Sequence, residues 1–202
     1  MTTSTTTIMY SGESVDLLSP NPDSIKIQDI ARGLANESRF NGQTNQYYSV
    51  AQHSLLVESL INSLYPNPSK LLQLEALLHD AQEAYTKDIP VPLKNAMDAV
   101  TKPTEEFPGY RAIEQAFEIT IRRKYHLPSS MSEKVNNADK IALEIEDLNL
   151  KPHSIFIPET VATAYPMKIE RILSPNLAEI LFLKRYYELN NYWRSHEPLS
   201  SP

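Results

Sequence analysis

The stretch Leu71-Leu-Gln-Leu-Glu-Ala-Leu-Leu-His-Asp-Ala-Gln-Glu83 begins as a helix that buries leucines and ends in an imidazole and two carboxylates. The periodicity predicts one helix from Ser69 to about Tyr85. On such a helix His79 and Glu83 stand one turn apart and Asp80 and Glu83 occupy neighbouring ridges, so all three reach one side. Groups of this kind are costly to bury unless something binds them. A divalent cation compensates well, because neutral imidazole and ionised carboxylate suit Zn, Mn, Co or Fe and both must be deprotonated to ligate.

Two further segments place the same chemistry on inward faces. In Tyr47-Tyr-Ser-Val-Ala-Gln-His-Ser-Leu-Leu-Val57 the stripe Val50, His53, Val57, Leu60 and Leu64 has helical spacing and turns His53 inward with the aliphatics. In Val135-Asn-Asn-Ala-Asp-Lys-Ile-Ala-Leu-Glu-Ile-Glu146, Asp139 shares a face with Val135, Ala142 and Leu143. Each has a plain alternative: a core histidine bonded to a backbone carbonyl, and an aspartate paired with Arg or Lys. Taken together, His53, His79, Asp80 and Asp139 can close one metal shell.

The rest of the chain is organised as a single all-α domain without repeats or linkers. With 202 residues it is long enough for one proper core. Further helices are expected over Ser24–Ala35, Val50–Leu64 (stopped by Tyr65-Pro-Asn-Pro68) and Tyr110–Tyr125. Another begins at the capping box Ser130-Met-Ser-Glu133, and a last one runs from Ser174-Pro175 to about Trp193. Pro90 and Pro92 are expected to break the chain into a tight connection. The proline-bearing stretch 151–166, with Ile155-Phe-Ile157, is expected to be irregular or a short strand, and the threonine-rich residues 1–9 a disordered tail.

Composition narrows the function. No cysteine is present, which excludes disulfides, thiolate zinc sites and cysteine nucleophiles. No apolar run is long enough to span a membrane and the N-terminus lacks signal-peptide character, so a cytoplasmic location is expected. A net charge of -6 speaks against general nucleic-acid binding. With four glycines and no glycine-rich phosphate loop, an anionic ligand must be met by local cations and metal.

The motifs go further. His53, His79-Asp80 and Asp139 match the pattern H…HD…D, and the chain resembles the HD-domain metal-dependent phosphohydrolases. The blocks Arg39-Phe-Asn-Gly42, Tyr48-Ser-Val-Ala-Gln-His-Ser54, Leu77-Leu-His-Asp-Ala-Gln-Glu-Ala-Tyr85, Asp88-Ile-Pro-Val-Pro-Leu-Lys94 and Ala138-Asp139 are similar to those of the bacterial 5′-deoxynucleotidases. They are similar too to the phage dATP triphosphohydrolases of the same branch, as is the opening Tyr10-Ser-Gly-Glu-Ser-Val-Asp-Leu-Leu18. The resemblance covers roughly Tyr10 to Leu150. It implies an HD-type helical bundle over 10–202 that hydrolyses deoxynucleotides at the α phosphorus, in a bacterial cell or a phage-infected host. A dATP or other dNTP triphosphohydrolase is the first reading and a 5′-deoxynucleotidase the second. A nucleotide-binding sensor without turnover is the alternative of another class.

It also implies roles for individual residues. His53, His79, Asp80 and Asp139 would hold a divalent metal (Zn, Co, Mn or Mg). Glu83 would take a proton from the attacking water, and Asp88 would orient water or leaving oxygen. Arg39 would grip phosphate and Lys94 neutralise it. Phe40 stands where relatives commonly carry tryptophan against the deoxyribose, which puts sugar discrimination in question; it can equally be a core ring beside a surface arginine. Asp88 alternatively caps the proline turn. His126 is expected at a helix C-terminus, His153 and His196 in solvent, and Tyr186-Tyr187 and Tyr192-Trp193 in core or subunit contacts. Glu144 or Glu146 could support a second metal or a neighbouring subunit. Relatives assemble as dimers or larger rings, so a homo-oligomer, dimer or hexamer, is expected.

Overall fold

The computed structural model describes residues 4–104, 109–153 and 168–196, with 191–196 described by backbone alone, and over these residues the chain is all-α. A hairpin of β1 (Thr6–Ile8) and β2 (Ser14–Asp16) leads into α1 (Ile27–Asn36), α2 (Val50–Leu64), α3 (Lys70–Leu77) and the short α4 (Glu83–Thr86). Then follow α5 (Val91–Thr101), α6 (Gly109–Lys124), α7 (Glu133–Leu150) and α8 (Pro175–His196).

Serine hydroxyls open the helices that build the site. Ser49 accepts from Gln52 N–H, Ser69 from Leu72 N–H and Ser132 from Val135 N–H, starting α2, α3 and α7. Each such cap contributes about 1 kcal/mol. The α7 cap is Ser132 rather than the expected Ser130, which leaves Glu133 in the first turn where its charge complements the helix dipole. Ser24 does not join α1: it closes a 3-10 turn by donating to the Asn21 carbonyl, and the helix begins at Ile27.

Three expectations are corrected. Residues 6–8 are not part of a disordered tail: β-branched Thr6, Thr7 and Ile8 pair antiparallel with Asp16, Val15 and Ser14, and Val15 is fully buried. Pro90 and Pro92 do not merely interrupt the chain but start α5, since a proline in the first helical turn lacks only an N–H that has no intrahelical partner. Leu143 lies outside the inner face of α7, being 36% exposed, and Val135, Ala138, Ala142 and Ile145 form that face instead. Residues 154–167, on which the expected irregular or β excursion falls, lie outside the described residues.

Two apolar clusters surround α2. Val50 and Ala51 belong to the first, with Ile30 and Leu34 of α1, Leu77, Phe117 and Phe182. Val57, Leu60 and Ile61 belong to the second, with Val135, Ala138, Ala142 and Ile145 of α7. Full burial of each leucine or isoleucine contributes about 1.5–3 kcal/mol. His53 therefore sits on α2 between the two clusters, on a backbone fixed from both sides. Close packing also governs α1 against α4: a Cβ on Gly33 would lie 2.7 Å from the Ala84 Cβ and 2.9 Å from its backbone. In contrast α5 buries none of its 11 residues and packs chiefly on α6. Tyr186 is buried, whereas Tyr187 is largely exposed. Among the described residues no helix is long and apolar enough to cross a membrane.

Candidate metal centre

The expected helix from Ser69 to Tyr85 is broken where the chemistry begins. α3 ends at Leu77, residues 78–82 form turns, and Glu83 starts α4. In a continued helix the Ala76 carbonyl would accept from the Asp80 N–H. Here it accepts from the His79 ring at Nδ1, 2.8 Å away, and the backbone continues through shorter turns such as Ala81 N–H to Leu78 O and Glu83 N–H to Asp80 O. His79 and Glu83 therefore face the site from opposite sides of a break and not from one helix face.

Backbone pairing brings the Arg39 segment to the start of α2. Arg39 N–H donates to the Tyr48 carbonyl at 2.9 Å, Val50 N–H donates to the Glu37 carbonyl at 3.0 Å, and Ser38 bridges Ser49. Phe40 and Asn41 just beyond hold left-handed conformations (φ 54° each), a strained state for a phenylalanine.

Three ligand-type side chains, His53, His79 and Asp80, meet at one point, and Asp139 approaches the two histidines from α7. His53 Nε2 lies 3.2 Å from His79 Nε2, 3.5 Å from Asp80 Oδ2 and 3.2 Å from Asp139 Oδ1. His79 Nε2 lies 3.2 Å from Asp80 Oδ2 and 3.7 Å from Asp139 Oδ1. Ligands of a tetrahedral zinc at 2.0–2.2 Å stand about 3.3–3.6 Å apart, so the spacing suits an ion of that size. The ring chemistry fits as well. Both Nδ1 atoms are occupied, His53 on Glu146 Oε1 at 2.7 Å and His79 on the Ala76 carbonyl, which leaves both Nε2 atoms facing the shared point. His53, His79 and Asp80 form a group whose ligand atoms are mutually close enough to hold a metal ion, and Asp139 lies near both histidines but outside that group.

Charge is concentrated around this point. Burial opposes protonation of both histidines, and for His53 the Arg39 charge does too. Glu146, Asp139 and Asp80 outweigh this and raise His53 well above its usual value. Asp80 and Asp139 hold His79 up at about 9. Asp80 and Asp139 are correspondingly held well below the carboxylate range by the two imidazoles, against burial. Glu83 behaves oppositely: burial first, then Asp80 and Asp88, push it well above the carboxylate range. Burial also raises Asp88, in spite of Arg39. Glu83 is 7% exposed and its Oε2 has no hydrogen-bond partner.

Arg39 crosses this acidic cluster. Its Nη2 donates to Glu146 Oε2 at 3.1 Å, and its Nη1 stands 3.8 Å from both Asp80 Oδ2 and Asp88 Oδ2. Those last two separations are too long for hydrogen bonds, and the buried Nε has no partner at all. Burial opposes its charge, but Glu146, Asp88 and Asp80 hold the guanidinium firmly protonated.

The structure thus brings together His53, His79, Asp80, Asp139, Glu83, Asp88 and Arg39. Phe40 lies with its ring 5.3 Å below the Arg39 guanidinium and 4.1 Å from Lys151 Nζ, beside the cluster. Lys94 is held elsewhere: its Nζ pairs with Glu114 at 2.6 Å, and no contact among the described residues joins it to the histidines. Lys87 is drawn to Glu37 at 2.9 Å and takes φ 78°, ψ 152° just before Asp88, a region favoured by glycine. Sequence reasoning leaves Glu144 and Glu146 undecided, and Glu146 proves to be fully buried against His53 and Arg39. A signal for it exists, an acid two turns beyond Asp139 and next to the apolar Ile145. Tyr48, 1% exposed and facing Glu146, is part of a quoted motif block but is given no role by sequence reasoning.

No known protein-family model matches the chain. Two curated proteins are similar to it. An uncharacterized protein of Escherichia coli strain K12, YfdR, is 37% identical over 172 residues, covering 84% of this chain and 87% of the relative. An uncharacterized protein of Rhodobacter capsulatus, RCAP_rcc00048, is 38% identical over 136 residues, covering 66% of this chain and 65% of the relative.

Proposed function

The chain belongs to the family that contains YfdR of Escherichia coli, and we propose that it works as a metal-dependent phosphohydrolase acting on deoxynucleotides. The observation that carries this reading is the convergence of His53, His79 and Asp80 on one point, with Asp139 within 3.7 Å of both histidines and a buried arginine beside them whose Nε has no partner. His53, His79, Asp80 and Asp139 would hold the cation. When bound it supplies Lewis acidity toward a phosphoryl oxygen and acidifies water. Arg39, with Nε and Nη1 uncommitted, donates to phosphate oxygens. Glu83 takes a proton from the water attacking phosphorus; its raised pKa brings the carboxyl closer to neutrality, where a general base works best. Asp88 orients that water or the departing oxygen. The new bond joins phosphorus to the water oxygen, the bond to the 5′ oxygen breaks, and that oxygen takes the proton that Glu83 received and leaves as the nucleoside hydroxyl.

The choice of deoxynucleotides rests on the sequence blocks around Arg39, His53, His79 and Asp88. Within that class a dNTP triphosphohydrolase and a 5′-deoxynucleotidase break the same bond, giving nucleoside plus triphosphate or plus orthophosphate. The phage-like opening at Tyr10–Leu18 supports the triphosphohydrolase. One feature of the site favours the monophosphate: among the described residues Arg39 is the cation whose pairs reach Asp80 and Asp88, while Lys87 and Lys94 are engaged by Glu37 and Glu114. A triphosphate brings more negative charge than one arginine meets.

Incubation with dAMP, dATP and their ribose counterparts across Mn, Co, Zn and Mg, followed by product separation, tests the reading. Deoxyadenosine with triphosphate or with orthophosphate identifies the substrate. Nucleotide binding without turnover under every metal would point instead to a sensor.

A further inference from the structure

Glu146 hydrogen-bonds to both a candidate metal ligand and the arginine beside it. Its Oε1 is 2.7 Å from His53 Nδ1, and its Oε2 is 3.1 Å from Arg39 Nη2. The carboxylate is fully buried, with the buried Tyr48 hydroxyl interacting with it. A carboxylate offers acceptors on both oxygens, so it draws an N–H from the imidazole on one side and from the guanidinium on the other. The first bond fixes His53 as the tautomer whose Nε2 is bare toward Asp80 and Asp139. The second commits Nη2 and leaves Nη1 beside Asp80 and Asp88. We propose that Glu146 is a positioning residue that prepares His53 as a metal ligand and Arg39 as a hydrogen-bond donor to phosphate at the same time, coupling the two.

Chemistry makes the proposal sharp. A glutamine at 146 has one acceptor oxygen and one NH2 donor. With the oxygen toward His53, the amide NH2 meets the guanidinium N–H groups donor to donor. With the oxygen toward Arg39, the NH2 faces Nδ1 and forces the tautomer that puts a proton on Nε2, where the metal should be. Glutamine therefore serves one neighbour at the expense of the other.

The metal half of this inference stands apart from the phosphohydrolase reading, and the substrate half rests on it. The test is Co2+ titration of the full chain, by calorimetry and visible absorption, for wild type, Glu146→Gln and Glu146→Asp, with kcat and KM on dAMP and dATP beside it. Loss of an outer hydrogen-bond partner weakens metal binding about 10- to 100-fold. Glu146→Gln is expected to show that loss, or a raised KM, with an unchanged circular dichroism spectrum. Glu146→Asp keeps the charge but shortens the arm, and is expected to fall short of wild type as well. Wild-type Co2+ affinity and KM in either variant overturn the proposal, the aspartate result by showing that charge alone suffices. Should both variants fail to fold, 15N-histidine spectra of the Zn-loaded wild type decide: a proton on Nδ1 of His53 supports the positioning role, and a proton on its Nε2 overturns it. If wild type hydrolyses no nucleotide yet Glu146→Gln weakens Co2+ binding, the functional reading fails and the positioning role survives. Normal Co2+ binding and KM in the variants of an active enzyme would leave the phosphohydrolase standing and remove the positioning role.

Discussion

Replacing Glu83 by glutamine should damage turnover and improve stability together. The carboxyl is 7% exposed, its Oε2 has no partner, and its negative neighbours Asp80 and Asp88 resist its ionisation. Glutamine keeps the shape and cannot accept the proton of the attacking water. Removal of a general base costs about 10²- to 10⁴-fold in rate, which at 1.36 kcal/mol per tenfold is about 3–5 kcal/mol on the barrier. The stability sign follows from the raised pKa. Below 4.5 the carboxyl is protonated in both folded and unfolded chains and contributes nothing. As pH rises past 4.5 the unfolded chain ionises while the folded site resists, so the native state is penalised, and Glu83→Gln relieves that penalty. The assay pairs product release from the preferred nucleotide under saturating Mn2+ with thermal melts of the metal-free chain at pH 4 and pH 8. A lower kcat with a melting temperature raised at pH 8 but not at pH 4 is expected. Wild-type kcat would remove Glu83 from the reaction, and a lower melting temperature at pH 8 would show that its carboxylate is stabilised in a way the geometry does not reveal.

Three more outcomes follow from the geometry. Because Asp80 and Asp139 hold His79 up at about 9, cation binding near neutral pH must displace imidazole protons; calorimetry in buffers of different ionisation enthalpy should record proton release and an affinity that grows with pH, and uptake of protons would contradict the assignment of both Nε2 atoms as ligands. Without metal, the stabilisation that His79 provides is complete below 6.5 and is lost as pH climbs through about 9, so metal-free melting temperatures should decline over that interval. Gly33→Ala drives a methyl group to within 2.7–2.9 Å of Ala84. Overpacking of this kind costs about 1–3 kcal/mol, a melting temperature about 2–12 °C lower for a chain this size. Since α4 also carries Glu83, turnover should drop with it, and an unchanged melt would mean that α1 and α4 stand farther apart.

Much of this architecture is legible in the residues themselves. The bounds of α2 follow from the apolar stripe that starts at Val50 and from the stop at Tyr65-Pro-Asn-Pro68, and they match the structure from Val50 to Leu64. His53, His79, Asp80 and Asp139 can be singled out because each puts a costly group on an otherwise apolar face. What cannot be read depends on bonds between side chain and backbone or between distant segments. The break after Leu77 is invisible in a leucine-rich run, because it requires the His79 ring to take over the Ala76 carbonyl. Glu146 looks like any helix acid until Arg39 and His53 arrive from other segments. Lys94, placed near phosphate by its neighbours in sequence, is captured by Glu114 across the α5–α6 pair.

The absence of any buried residue in α5 bears on how the molecule breathes. A helix with so little sequestered apolar surface unfolds at a free energy far below that of the whole chain. Amide protons over Val91–Thr101 should therefore exchange with solvent through local opening, while those of α2 and α7 wait for global unfolding. His53 and Asp139 sit on α2 and α7, whereas Asp88 borders α5, so under the proposed function this edge of the site can loosen to admit a nucleotide without disturbing those two candidate ligands.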